Sequence, residues 1–207
     1  LETLLRQPQT SESRELLSQC HEKLEQLQGM IGSLLNLARL ESGRARRNMD
    51  RLPVAALVDQ AVEELQAEWE SRDLSLLTEI PRELTVVGDG FWLRQAFLNV
   101  LRNSVQHTPS GGTIRCRGWE EGESVVVEIA DTGSGIAREE EEKIFERFYR
   151  PQADTSSGSG IGLHLARQIL EQQGGRLQVR QVEKGACFRF TFTALSGKSK
   201  KGSGEEN

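Results

Sequence analysis

Asn99 and Asn103 stand one helical turn apart in the segment NVLRNSVQH (99–107), and Gln106 or His107 continues the row on roughly the same face. An amide oxygen on a rigid helix can ligate a hard cation such as Mg²⁺, and a neighbouring donor can meet a phosphate oxygen. A second segment, DTGSGI (131–136), follows a run with strand character. There Gly133 and Gly135 permit a tight backbone turn against a flat ligand, and the Asp131 carboxylate can accept a hydrogen bond from an exocyclic amine such as that of adenine. The third segment, GSGIGLHLA (158–166), opens a helix with Gly158, Gly160 and Gly162, exposing consecutive N–H groups at a positive helix end, as a polyphosphate requires. It is not a dinucleotide fingerprint: Leu163 occupies the position three after Gly160, and no strand precedes it. Gly197, Lys198 and Ser199 only echo a P-loop, since Phe192 stands where its first glycine belongs.

The elements that must position these groups follow from the apolar pattern. Leu1, Leu4 and Leu5 read as the tail of one helix, with Pro8 in the loop after it. Leu16, Cys20, Leu24, Leu27, Ile31, Leu34 and Ala38 then form a near-heptad stripe. Such a stripe calls for a partner helix, either in a two-helix hairpin that dimerises into a four-helix bundle or against the chain's own domain. Ser42, Gly43 and the basic residues Arg44, Arg46 and Arg47 end it, placing a boundary near 43–52. Val54, Leu57, Val58, Ala61, Val62, Leu65 and Trp69 predict one amphipathic helix, and Leu74, Leu76, Thr78 and Ile80 a strand. A short strand at 85–87 and a helix from Phe91 follow, with Leu93, Phe97, Leu98 and Leu101 inward. Strand pairs at 113–119 with 124–130 and at 176–182 with 186–194 flank a helix over 162–173. This irregular alternation predicts an α+β fold, a two-layer sandwich of one mixed sheet with helices on one face. The divisions are 1–47, a partial helical hairpin; 48–195, the ligand-binding domain; and 196–207, a tail without apolar anchors that should be disordered.

Lys plus Arg number 26 against 31 Asp plus Glu, a net charge of −5, which disfavours a general nucleic-acid or anionic-membrane surface. No apolar run approaches the length of a membrane span, so a soluble chain is expected. The N-terminus lacks a Met, a basic region and an apolar signal core, and reads as part of a longer protein. Cys20, Cys116 and Cys187 have neither disulfide-framework nor zinc spacing and are expected to be ordinary small apolar residues.

The order NVLRNSVQH, DTGSGI, FERFYR and GSGIGLHLA resembles the N box, first glycine box, phenylalanine box and second glycine box of bacterial sensor histidine kinases, within the ATPase superfamily shared with gyrase and the large heat-shock chaperones. LLNLARLESG (34–43) is similar to the end of the second helix of that family's dimerisation and phosphoacceptor domain. The resemblance implies the histidine kinase ATPase sandwich, with ATP and Mg²⁺ as cofactors. Asn103 corresponds to the magnesium ligand and Asn99 to its upstream catalytic partner. ATP contacts are implied for Asn103, Gln106, His107, Asp131, Gly133, Gly135, Ile136, Phe148, Arg150, Gly158, Ser159, Gly160, Ile161, Gly162 and Leu163. Residues 137–157 correspond to the ATP lid, with Phe145 and Phe148 as apolar anchors. Gln106 stands where relatives often carry Lys or Arg, so a neutral donor, or His107, replaces a phosphate-facing cation.

In hydrolytic relatives the N box begins with a glutamate base, whereas Asn99 cannot take a proton near neutral pH. The γ-phosphoryl group is then expected to go to an external imidazole. His21 is a poor candidate, because no proline follows it at the family's position and only about twenty residues separate it from LARLESG. The phosphoacceptor is expected upstream, so that the 207 residues alone should not autophosphorylate. A response-regulator receiver domain is the implied partner, with homodimerisation through the hairpin and no nucleic acid. The implied setting is the cytoplasmic portion of a plasma-membrane sensor. An anti-sigma-type serine kinase and a degenerate nucleotide-dependent interaction module share the same boxes.

Overall fold

The computed structural model describes residues 11–42, 48–151 and 160–193. Expectations for Leu1 to Leu5, Gly158, Ser159 and the tail lie outside these residues. Helix α1, Ser11–Glu41, carries the predicted stripe, and Leu16, Cys20, Leu24, Leu27, Ile31 and Leu35 are all exposed along it. The helix instead buries Leu37 and Leu40, which lie off the stripe. The two faces are therefore separate: one docks on the domain and the other stays uncovered among the described residues.

A four-residue strand, β1 (Asp50–Pro53), overlaps the end of the expected boundary and pairs antiparallel with β3 (Thr85–Gly88) as a two-stranded ribbon apart from the main sheet. Helix α2, Val54–Glu64, buries Val54, Leu57, Val58 and Ala61, the i, i+3, i+4, i+7 repeat of an amphipathic helix. Pro53 caps it at φ −64°, and the Val54 N–H donates to Leu84 O at 2.9 Å, outside the helix. The single helix expected through Trp69 is two: Leu65 leaves helical geometry at φ −103°, ψ 9°, and α3 restarts over Gln66–Ser71. Leu65 itself is fully buried, so the break drives its side chain into the core.

Strand β2 (Ser75–Glu79) leads through β3 to α4 (Gly90–His107), whose N-cap Asp89 accepts from the N–H groups of Phe91 at 3.1 Å and Trp92 at 3.4 Å. The hairpin β4 (Thr113–Glu121) and β5 (Ser124–Asp131), helix α5 (Gly162–Gln172) and the pair β6 (Gly175–Arg180) and β7 (Cys187–Thr193) complete the chain. The main sheet runs β2-β4-β5-β7-β6, parallel only between β2 and β4. The expected α+β sandwich is thus present, with α2, α4 and α5 against one face of a mixed sheet. Phe97 of α4 meets Phe190 and Phe192 of β7, with ring centroids 4.7 and 6.2 Å apart, at the centre of the core. On the opposite face Glu128 is 1% exposed, held by Arg117 at 3.1 Å and Arg180 at 3.0 Å. One carboxylate thereby joins β4, β5 and β6, and the arginine stems cover the sheet.

Two of the three cysteines behave as expected. Burial, then the charge of Asp59, pushes the Cys116 thiol up to about 12; burial, then Glu128, pushes Cys187 up to about 11. Cys20 departs from the expectation, lying exposed on α1. An aromatic disulfide reagent at neutral pH should therefore label one thiol quickly and two more only on unfolding. Phe97→Ala should lower stability by about 3–5 kcal/mol in urea titration, since it empties the middle of the sandwich.

Candidate functional site

The site forms where the last turns of α4, the end of β5 and the start of α5 converge. Asp131 closes β5 opposite Ile114 and is 3% exposed. Its Oδ1 accepts from the Gly133 N–H at 2.9 Å and the Ala186 N–H at 3.1 Å. Its Oδ2 is buried with no partner. A buried acceptor left open costs free energy, so this oxygen is placed to receive a donor from a ligand.

The neighbouring backbones permit no other residue types at two points. A Cβ on Gly133 would strike the His107 carbonyl, so the first glycine box is pressed against the end of α4. Gly185 has φ +77°, and a Cβ there would run into the Asp131 carbonyl. The expected turn at Gly135 lies alongside, where a Cβ would come 3.0 Å from Gly185 O.

On α4, Asn99 is buried and its Nδ2 has no acceptor, while Asn103, one turn on, is half-buried. A Cβ on Gly162 would lie 3.4 Å from Asn99 Oδ1, so the last glycine of the second glycine box lies directly over the first asparagine. Gln106 and His107 are half-buried, and the Gln106 carbonyl accepts from Arg72 Nη1 at 3.3 Å. Ile136 and Leu163 are partly buried against the core, Ile161 is fully buried, and Arg150 is half-buried. Gly160, at φ +68°, accepts the Phe148 N–H at its carbonyl at 2.9 Å, joining the phenylalanine box to the second glycine box.

The two expected lid anchors part company. Ile144 and Phe145 are buried. Phe148, at φ +66°, is 54% exposed with Arg147 over its ring at 5.0 Å, and is not an apolar anchor. The chain turns outward there to meet Gly160, and that left-handed turn carries the ring into solvent. Two residues of α5 not foreseen as anchors hold Phe145 instead. His164 Nδ1 lies 2.9 Å from the Phe145 carbonyl, which can only accept, so this nitrogen carries the proton. The Arg167 guanidinium sits 4.9 Å over the ring while pairing with Glu142 at 2.7 Å and Glu171 at 3.3 Å. Tyr149 donates to Glu140 at 3.1 Å, and burial followed by that bond raises its phenol above its ordinary range. Gly185 and Ala186 were also missed as site residues; a glycine before the last apolar strand was the one available signal.

Buried but uncommitted Asp131 Oδ2 and Asn99 Nδ2, one acceptor and one donor, together with a glycine cradle, fit a polar heterocyclic ligand carrying phosphates. Among the described residues no cluster of three or more His, Cys, Asp or Glu could hold a metal by itself.

Residues 88–195 match the family of histidine kinase-, DNA gyrase B- and HSP90-like ATPases, and the chain belongs to that family. Within it, the chain is 38% identical over 179 residues to the adaptive-response sensory kinase SasA of Synechococcus sp. (strain CC9311), covering 80% of this chain and 45% of the relative. Two solved structures share the fold across nearly the whole chain. Full-length ShkA in complex with AMPPNP is 25% identical, with a TM-score of 0.68, covering 92% of this chain and 41% of that one. The histidine kinase ThkA in complex with the response regulator TrrA is 18% identical, with a TM-score of 0.69, covering 93% and 54%. The chain spans about half the length of the curated relatives it matches.

The dependence on Gly185 is testable against Gly174, which has φ +79° but nothing within 4 Å of a Cβ. Gly174→Ala should cost only the left-handed strain of about 1–2 kcal/mol and leave nucleotide titrations unchanged. Gly185→Ala should lose both stability and nucleotide binding, because the new methyl displaces Asp131. Equal behaviour of the two variants would contradict the close approach.

Proposed function

We propose that this chain is the ATP-binding catalytic domain of a sensor histidine kinase, joined to the second helix of its dimerisation domain. The observation that carries the reading is the Asp131 carboxylate, buried and half-satisfied at the mouth of a glycine-lined cradle. Oδ1 is fixed by two backbone donors, which leaves Oδ2 to accept from the adenine amino group; guanine presents a carbonyl there and is rejected. Gly133 and Gly135 let the backbone approach the base, and Gly160, Ile161, Gly162 and Leu163 take the phosphate side at the start of α5, a role the resemblance extends to Gly158 and Ser159. Gln106, His107 and Arg150 supply further donors, Ile136 borders the base, and Phe148 stands at the rim of the lid. Asn103 would hold Mg²⁺ through its amide oxygen. When bound, the ion neutralises charge on the phosphates and orients them for in-line attack.

Asn99 decides the fate of the γ-phosphoryl group. An amide takes no proton near neutral pH, so water at this position is not activated and the group passes to an external nucleophile. His21 does not supply it: it lies sixteen residues before Leu37, about 24 Å up α1 at 1.5 Å per residue. His107 and His164 belong to the nucleotide boxes, and His164 already binds Phe145. The acceptor is therefore a histidine outside these residues, and the next acceptor is an aspartate of a response regulator, a partner kind supported by the ThkA–TrrA complex. The uncovered α1 stripe supports homodimerisation through a helical bundle. No helix among the described residues is long and apolar enough to cross a membrane; we infer that they form the cytoplasmic part of a plasma-membrane sensor.

Calorimetric titration tests the nucleotide reading. ATP should bind more tightly with Mg²⁺ than without and at least tenfold more tightly than GTP, and Asp131→Asn should lose about tenfold or more, because an amide NH₂ would face the adenine NH₂. Asn103→Asp should change the Mg²⁺ dependence while ATP alone binds less well. Equal affinity for ATP and GTP would overturn the assignment of Asp131. Incubation with γ-labelled ATP should leave these 207 residues unlabelled; label on His21 would place the acceptor here after all.

A further inference from the structure

At the edge of the sheet remote from β6, strand β2 has no partner on its outer side among the described residues. Successive residues of a strand direct their backbone groups to opposite sides. The Ser75 N–H turns inward to Gly112 O at 2.9 Å, which leaves the N–H and C=O groups of Leu76 and Thr78 directed outward. Behind this edge lies a cavity of about 250 Å³ lined by Val62, Glu63, Gln66, Trp69, Leu74 and Leu76. Its walls are mainly apolar, yet Trp69, 7% exposed, has a buried Nε1–H with no acceptor. A buried indole N–H normally finds a partner.

The rim is acidic. From Val54 to Ser71 the chain carries Asp59, Glu63, Glu64, Glu68 and Glu70 and no Lys or Arg. Glu64 and Glu68 are taken by Arg94 at 2.5 Å and Arg102 at 3.7 Å, and Glu70 by Gln66 at 2.8 Å. Glu63, at the cavity, has no ion pair among the described residues. Free edge, apolar cavity and the carboxylate of Glu63 lie side by side, and none of them contributes to the nucleotide site.

We propose that the β2 edge and the cavity behind it form a docking site for an extended, basic segment of a partner protein, which adds to the sheet as a sixth strand. Main-chain bonds to Leu76 and Thr78 hold it in register, and its side chains alternate between the two faces of the sheet. On the helix side one residue fills the cavity and the next on that face, two positions along, meets Glu63. The segment therefore reads apolar-x-Lys or apolar-x-Arg in either direction. This distinguishes it from the α1 stripe, where the occupant is another helix.

A capped heptapeptide TVTVTKT and its counterpart TVTVTET serve as probes in calorimetry, with ATP titration of each protein variant alongside. The native chain should bind the Lys peptide saturably and at least tenfold more tightly than the Glu peptide. Thr78→Pro removes an outward N–H without touching a bond to β4, and should lose that binding while ATP binding is unchanged. Should Thr78→Pro fail to fold, Glu63→Lys, an exposed change, reverses the preference between the two peptides. No saturable binding of the Lys peptide, equal affinity for both peptides, or an unaltered preference in Glu63→Lys would overturn the proposal. So would a dimer in sedimentation that Thr78→Pro abolishes, since the occupant would then be a second copy of the chain.

Discussion

A carboxylate deep in a folded chain is stable only where donors surround it, and the fold at Asp131 is built to provide half of them. The two N–H groups that hold Oδ1 come from Gly133, in the loop leaving β5, and from Ala186, in the loop entering β7. The Asp131 N–H in turn donates to Ala186 O at 2.9 Å. Residues more than fifty positions apart are thus locked together around one side chain, and the lock leaves Oδ2 facing the cradle. The positive φ of Gly185, the pressure of Gly133 on α4 and the register of β5 against β7 all serve the same placement.

Helix α5 joins the remaining parts. Its first residue lies over Asn99, and its first two turns present His164 and Arg167 to Phe145. Its end reaches two further elements: Gln172 Nε2 donates to Leu40 O of α1 at 3.3 Å, and Gln173 Oε1 accepts from Asp89 N, beside the cap of α4, at 2.9 Å. These eleven residues and the Gln173 that follows thereby touch the middle and the N-cap of α4, the Phe145 segment and α1.

The periodic elements and the boxes were legible in the sequence because both depend on neighbours a few residues away. Repeats of 3.6 and 2 located α4, α5 and the hairpins, and the glycine spacing located the turns around Asp131. What escaped detection depends on distant partners. Asp50–Pro53 has no period of its own and becomes a strand only because Thr85–Gly88 lies beside it. Leu65 continues the helical pattern of α2, yet burial draws its backbone out of the helix. Phe145 and Phe148 are the same residue type three positions apart, and only the Gly160 carbonyl decides that the second faces water. Ala186 contributes a backbone N–H, which no side-chain motif can announce.

The unequal docking of α1 has a mechanical consequence. The helix is 31 residues long, about 46 Å at 1.5 Å per residue, and among the described residues only its last turns, at Leu37 and Leu40, are fastened to the domain. Force applied at its other end acts on that fulcrum with a long arm: a tilt of about 5° there shifts the far end by about 4 Å over a helix of this length. Because the fastening runs through Gln172 on α5, the helix that also carries Gly162, the arm is geared to the nucleotide cradle by a single rigid rod.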